Sequence, residues 1–339
     1  MEKELDIIIP AYKAHTKIRR TLHSIASQSI KDIIQVTICN DAGEPYTDII
    51  KEFEKDLDIK EYSLKVNSGP GVARQLGLDN TTCPFVMFSD ADDEFGDPFC
   101  LEMLLNEIKF SDYDMVISRF IQQYVDDDGV QSFLEFNEDK IWMHGKIYRR
   151  EAIDRIGVRF RDDIRQNEDG YFNQIFMHKC NNIGISNIIS YYWLHYPDSI
   201  TKTDNYSIKG YEGWYKMMLY VIEDFKKCIK NKEYEGKINS DVLNYIIANC
   251  VTVGYLEYNT FCRIAPKYLC DLFLSYMDEY YKKVYREWSK EPQSYGFCEA
   301  SFADGLKTKH REFNRMPSLG FEEFVQLLED RYQKSQKTT

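Results

Sequence analysis

Over the first 110 residues, short unbroken apolar runs alternate with polar stretches that have helical spacing. Leu5–Ile9 predicts a buried strand ended by Pro10, and Gln35–Cys39, Tyr62–Val66 and Phe85–Phe88 predict three more. Between them, Lys17–Ser29 carries Ile18, Leu22 and Ile25 at helical intervals, Thr47–Phe53 has helical character, and a Gly-Pro-Gly turn opens a helix over Gly71–Leu78. Strands and helices in this order predict βαβ units and a mostly parallel sheet, because parallel neighbours need a crossover connection. In such sheets ligands bind outside the carboxyl ends of the strands. Two polar clusters, Asn40–Gly43 and Ser89–Glu94, fall at such ends.

From 111 to 204 the pattern is less regular. Met115–Ser118 and Ile185–Ile189 read as strands, and Asp126–Gly129 as a hairpin turn. Beyond about residue 207 the periodicity is helical: Ile208–Lys227, Val242–Tyr258 with Ser240 as its cap, Lys267–Trp288 and Phe321–Gln333, with Glu291–Gly296 as a loop. These patterns divide the chain into an α/β unit, residues 1–204, and a mainly helical region, residues 205–339.

Charge supports that division. The chain has 339 residues with 55 acids against 43 bases, a net charge of −12; residues 1–204 hold 36 acids and 23 bases, and residues 205–339 are close to neutral. The acidic balance disfavours wrapping nucleic acid through its phosphates, and docking by charge to an anionic membrane. With 43% hydrophobic and 14% aromatic residues, a large core is available and global disorder is excluded. No run reaches the roughly 18 apolar residues of a membrane span, and the first residues lead straight into a strand without a signal-peptide pattern. Nine cysteines, none spaced Cys-x-x-Cys, read as buried, reduced thiols of an intracellular protein. The expected location is cytoplasmic, with peripheral contact at the inner face of the membrane left open.

The acids at one strand end carry the chemistry. Ser89-Asp90-Ala91-Asp92-Asp93 follows an apolar run, and two carboxylates one residue apart on an extended turn can converge on a divalent cation, which prefers hard oxygen ligands. Such a cation can bridge a diphosphate and offset leaving-group charge. A D-x-D alone serves equally well as a solvated turn or a helix cap, so its neighbours decide.

Those neighbours form an ordered series: Ile7-Ile8-Ile9-Pro10-Ala11-Tyr12, Leu22–Gln28, Cys39-Asn40-Asp41-Ala42-Gly43, Asn67–Gln75 with Ala73-Arg74, Asp90-Ala91-Asp92-Asp93, His144–Arg150, Asn167-Glu168-Asp169, and Tyr192–His195 followed by Ser199-Ile200-Thr201. Over about residues 5–203 the series resembles family-two glycosyltransferases of the GT-A fold, a Rossmann-like, mostly parallel sheet flanked by helices. The resemblance implies an inverting, metal-dependent transfer from a nucleotide sugar, UDP-linked by expectation. It places Pro10, Ala11, Tyr12, Asn40, Asp41, Arg74, Asp90, Ala91 and Asp92 at the nucleotide sugar. It makes Asp92, with Asp90, the ligands of Mn²⁺ or Mg²⁺. It makes Asp169 the base for the acceptor hydroxyl and Glu168 its neighbour, orienting sugar or acceptor. His195, 26 residues after Asp169, stands where some relatives have a third metal ligand, and imidazole suits Mn²⁺ better than Mg²⁺. Trp142 and Lys146 are candidate contacts to donor or acceptor sugar; Trp142 serves equally as core. Tyr196–Asp204 is a candidate lid.

The series departs from the family pattern at Asn40, where Asp is commoner, and at Ala42-Gly43, which replace Gly-Ser. An amide still offers a uracil edge both a donor and an acceptor. Residues 205–339 carry no catalytic motif. Their aromatic helices read as core, with acceptor binding, self-association as a homo-oligomer and membrane contact as alternatives. The expected acceptor is a glycan, a teichoic acid-like polymer or a lipid-linked saccharide. Three other readings compete. A sugar nucleotidyltransferase needs a basic, glycine-rich loop after the first strand, which Pro10–Lys13 is not. An inactive scaffold is opposed by Asp90, Asp92 and Asp169. A glycosyltransferase acting on modified nucleic-acid bases is opposed by the missing basic surface.

Overall fold

The computed structural model describes residues 2–126, 128–196, 206–262, 265–308 and 319–337. It divides into two units, Met1–Thr203 and Asp204–Thr339. Among the described residues, the first unit holds one nine-stranded sheet. Its order is β3 (Asp58–Ser63), β2 (Ile34–Asn40), β1 (Leu5–Ala11), β4 (Phe85–Phe88), β8 (Lys146–Arg149), β6 (Met115–Val125), β9 (Ile183–Trp193) and β5 (Glu94–Phe95), with β7 (Gln131–Phe136) paired to β6. The run β3-β2-β1-β4 is parallel throughout, β8 is antiparallel to both β4 and β6, and β6 is parallel to β9.

β1 lies between β2 and β4 with helices over both faces, which is why its sequence is an unbroken apolar run. Leu5, Ile7 and Ile9 share one buried cluster with Leu22 and Ile25 of α1 (Ile18–Ala26), Ile49 and Phe53 of α2 (Thr47–Phe53), and Leu101 and Leu104 of α4 (Cys100–Lys109). Burying each such side chain is worth about 1.5–3 kcal/mol. On the other face, α3 (Pro70–Asn80) approaches so closely that a Cβ at Gly77 would collide with Ile8 Cγ2 and lie 2.9 Å from Cys39 Sγ. After β8 the chain turns directly into α5 (Arg150–Ile156), which stops at Gly157 with a left-handed φ of 70°.

Three local expectations are corrected. The third strand is Asp58–Ser63, not Tyr62–Val66: Asp58 pairs with Gln35 and Ser63 with Asn40, and Val66 is exposed. β3 is the sheet's edge strand, half-solvated and carrying Asp58, Lys60 and Glu61, so no apolar run marks it. The cap of the second C-terminal helix falls one residue earlier than the sequence suggests: Asn239, not Ser240, caps α8 (Ser240–Phe261), its side chain accepting from Val242 N at 3.0 Å. The stretch read as a loop through Gly296 becomes helical at Ser294, in α11 (Ser294–Thr308). The hairpin turn is where expected, between β6 and β7, with Asp126 Oδ1 accepting from Val130 N at 2.8 Å.

The second unit is helical. α7 (Tyr206–Asn231) and α8 precede α9 (Lys267–Tyr280), which continues through a π-helical stretch, Tyr281–Tyr285, into α10 (Arg286–Trp288); α11 and α12 (Phe321–Lys337) follow. The aromatic stripes fill its interior: Tyr215, Phe225, Phe273, Tyr280 and Phe324 are buried, and the Tyr280 hydroxyl donates to Ile247 O at 2.6 Å. No described helix is long and apolar enough to cross a membrane. The nine cysteines are all free thiols.

Candidate active site

The parallel register sets the last residues of β1 and β2 side by side, Ala11 opposite Asn40, with Ser89 N of the chain leaving β4 donating to Ile8 O. The three strand ends lie side by side, where parallel sheets place their ligands. Next to Ala11, Tyr12 is exposed. Asn40 is buried and fully engaged: its Oδ1 accepts from Gly43 N at 2.7 Å, and its Nδ2 donates to Glu44 O and to Glu61 Oε1 at 2.9 Å. The amide read from sequence as a base contact is therefore spent on holding its own turn, in which Ala42 takes a left-handed φ of 60°. Asp41 is also engaged, accepting from Ser68 N at 2.7 Å and Gly69 N at 2.9 Å, and so fixes the entry of α3.

From that entry Arg74 reaches to two acidic segments. Its Nη2 donates to Asp90 Oδ1 at 2.7 Å and its Nη1 to Glu168 Oε1 at 2.6 Å, with the guanidinium almost fully buried. One side chain thus ties the acidic loop after β4 to the acid pair that opens α6 (Glu168–Lys179). Burial works to raise the Asp90 carboxyl, but the Arg74 guanidinium outweighs it and holds the group below the usual range. Burial raises Glu168, and the neighbouring Asp169 adds to the effect against Arg74; burial raises Asp169 as well, also against Arg74. α3 and α6 meet where a Cβ on Gly71 would lie 2.9 Å from Glu168 Cγ. Gly71→Ala is therefore expected to push Glu168 aside and lower turnover by about tenfold or more, the scale of an ångström's misplacement, with a small change in Tm; donor-turnover kinetics and a melting curve check it.

The acidic loop itself is crowded. Burial and the adjacent Asp90 push the Asp92 carboxyl up to about 6, even though Lys17 Nζ lies 3.6 Å from its Oδ2. Asp93 is raised by burial, Asp90 and Asp92, and accepts from the Tyr191 hydroxyl at 2.7 Å and Leu194 N at 2.8 Å. Asp90, Asp93 and His144 bring one ligand atom each within 4.8 Å of one another; no such trio among the described residues includes Asp92 or His195. Burial pushes His144 down to about 4, which keeps it neutral, and its ring stacks on Tyr191 at 4.9 Å. His195 donates its backbone N–H to Gln123 Oε1, while its Nδ1 is buried with no hydrogen-bond partner among the described residues. Hard carboxylate oxygens under mutual repulsion, with the neutral His144 imidazole in reach, fit a divalent cation of the Mn²⁺ or Mg²⁺ type.

Lys146 is fully buried. Its ammonium donates to Trp142 O at 2.6 Å and to Asp139 Oδ1 at 3.3 Å, so it touches no sugar and instead staples the segment that carries Trp142 and His144. Asn173 of α6 reinforces the staple, donating to Trp142 O at 3.0 Å while accepting from the Tyr148 hydroxyl at 2.6 Å. Trp142 is half-buried with its ring centroid 5.4 Å from that of Trp193. Sequence reasoning places Asp93 in the acidic run without giving it a role of its own, and misses Asp139 and Tyr191. Asp93 is visible as the third acid of its run, whereas Asp139 and Tyr191 give no signal. Of the candidate lid, Tyr196 is described and packs under Lys17 Nζ, 4.3 Å from its ring centroid; the rest lies outside the described residues.

Residues 6–165 match the family described as Glycosyl transferase family 2. That match takes in a little under half of the chain. The chain is 26% identical over 207 residues to the poly(ribitol-phosphate) beta-N-acetylglucosaminyltransferase TarP of Staphylococcus aureus strain N315, covering 56% of this chain and 62% of TarP. It is 23% identical over 268 residues to TarS of strain Mu50, covering 74% of this chain and 46% of TarS. The chain thus spans less than two thirds of either relative. Among solved structures, S. aureus TarS 1–349 in complex with UDP-GlcNAc superposes with a TM-score of 0.67 at 16% identity, covering 92% of this chain and 93% of that one. The mannosyltransferase PcManGT of Pyrobaculum calidifontis, in complex with GDP-Man and Mn²⁺, gives 0.52 at 14% identity, covering 91% and 88%. At these identities the likeness is one of fold, the GT-A fold.

Proposed function

We propose that the chain is an inverting glycosyltransferase that moves a hexosyl or N-acetylhexosaminyl group from a UDP-linked donor to a hydroxyl of a glycan or teichoic acid-like polymer. The observation that carries this reading is the Arg74 bridge, which couples the D-x-D loop to the acid pair at the start of α6. A transferase needs both ends of that bridge: one for the departing diphosphate, the other for the incoming hydroxyl. The names of TarP and TarS, and the UDP-GlcNAc bound in the TarS structure, support an N-acetylglucosamine donor and a polyol-phosphate polymer acceptor. The reading puts the reaction in the cytoplasm, and assigns the helical unit to acceptor binding or self-association.

In this mechanism Asp169 accepts the proton of the acceptor hydroxyl as its oxygen bonds to the anomeric carbon. The bond from that carbon to the diphosphate oxygen breaks, its electron pair leaves with UDP, and the configuration inverts. Glu168, held by Arg74, orients the group beside the base. The acidic loop of Asp90, Asp92 and Asp93, with His144 beside it, would hold a divalent cation, which when bound offsets the charge developing on the diphosphate. Tyr12 and the main chain at Pro10 and Ala11 flank the nucleotide, and Trp142 offers a ring face to sugar.

The test is UDP release from a panel of UDP-sugars, with and without a poly(ribitol phosphate) acceptor, in Mn²⁺ and in EDTA. Turnover of one donor that requires the cation and rises with acceptor is expected. Turnover that persists in EDTA would remove the metal from the reading, and no turnover of any donor would overturn it.

A further inference from the structure

Lys17 is a cationic partner of Asp92, yet its position breaks a local rule. It stands at the start of α1, where the helix dipole disfavours a cation, and the first turn beyond it adds Arg19 and Arg20 with no acid to balance them. Arg19 is accounted for by its paired contacts with Glu52 and by His15 O. Lys17 turns instead toward the acidic loop, with Nζ 3.6 Å from Asp92 Oδ2 and 4.3 Å from the centre of the Tyr196 ring. Both partners are partly open, with 21% of the Lys17 and 32% of the Asp92 side chain exposed, so the pair can part without opening the core.

We propose that Lys17 is a binding residue for the donor diphosphate, parked on Asp92 until the donor arrives. The proposal rests on the metal-dependent UDP-sugar reading above. An ammonium and a divalent cation compete for the same carboxylate, because two cations within a few ångströms repel. When Asp92 turns to the cation, the ammonium is released next to the two charged phosphates that the donor brings. A lysine suits this exchange: it is a compact point charge on a flexible stem, able to swing between acceptors. The Tyr196 ring, at the exit of β9, guides the swing by holding the charge near the acidic loop in both positions.

The proposal predicts opposite changes from one substitution. In the full chain, Lys17→Gln is expected to bind Mn²⁺ alone about threefold more tightly, since an exposed-pair competitor for Asp92 is gone, as measured by the electron paramagnetic resonance signal of free Mn²⁺. The same variant is expected to bind UDP in saturating Mn²⁺ about tenfold more weakly, the scale of one charge-assisted hydrogen bond, as measured by calorimetry. Lys17→Arg, which keeps the charge, should recover most of the UDP affinity and shows that the site tolerates replacement. Weaker binding of both Mn²⁺ and UDP by Lys17→Gln would make Lys17 a brace for Asp92 and overturn the proposal, as would unchanged UDP affinity. A wild-type chain that binds neither Mn²⁺ nor UDP would instead overturn the reading beneath it.

Discussion

Asp169→Asn is expected to lower kcat for sugar transfer by about a thousandfold, within the range that a lost general base commands, while leaving UDP affinity unchanged. The substitution is close to isosteric, and the amide oxygen can keep the bond that Asp169 Oδ1 accepts from Gly170 N at 2.7 Å, so the first turn of α6 survives. What disappears is a group able to take a proton. Burial holds that group above the ordinary carboxylate range, partly offset by Arg74, which makes it a stronger base than a surface aspartate. The sign of the pH dependence follows. A base works when ionised, so kcat/KM should fall as pH drops through a pKa higher than the usual value of about 4. Single-turnover transfer across pH, with calorimetry for UDP, checks both statements. Loss of UDP binding in Asp169→Asn would instead make the residue a part of the scaffold.

How much of the molecule is legible in its sequence depends on where each group lies. β4 can be placed from its sequence alone, because a central strand covered on both faces must be apolar throughout, and Phe85–Phe88 is. β3 cannot, because an edge strand has no such obligation. The D-x-D loop and the acid pair are legible as motifs in order, yet the Arg74–Glu168 bond joins positions 94 apart and no spacing foretells it. Asn40 and Lys146 show a different limit. Their chemistry suits a base edge and a sugar hydroxyl, but in the fold Gly43, Glu44 and Glu61 take the amide, while Trp142 O and Asp139 take the ammonium. A residue type says what a group can bond; its local closure decides what it does bond.

Arg74→Met carries the largest expected cost in stability. The bridge is buried at both ends that matter, with 5% of the Arg74 and 8% of the Glu168 side chain exposed. Removing the cation strands a buried Glu168, and breaking a buried pair in this way costs about 3–5 kcal/mol. For a unit of this size that lowers Tm by about 10 °C. The loss should depend on pH in a defined direction. With Arg74 gone, burial and Asp169 raise Glu168 further, so folding favours its protonated form. A carboxyl raised in the folded state leaves stability intact below its unfolded value of about 4.3 and withdraws it as pH rises toward the folded value. The deficit of Arg74→Met should therefore be larger at pH 8 than at pH 5, and adding Glu168→Gln should recover much of it by removing the stranded charge. Thermal melts of the two variants at both pH values decide the matter. A deficit that is equal at the two pH values, and is not relieved by Glu168→Gln, would mean that Arg74 stabilises the fold through packing of its stem and not through the acids it joins.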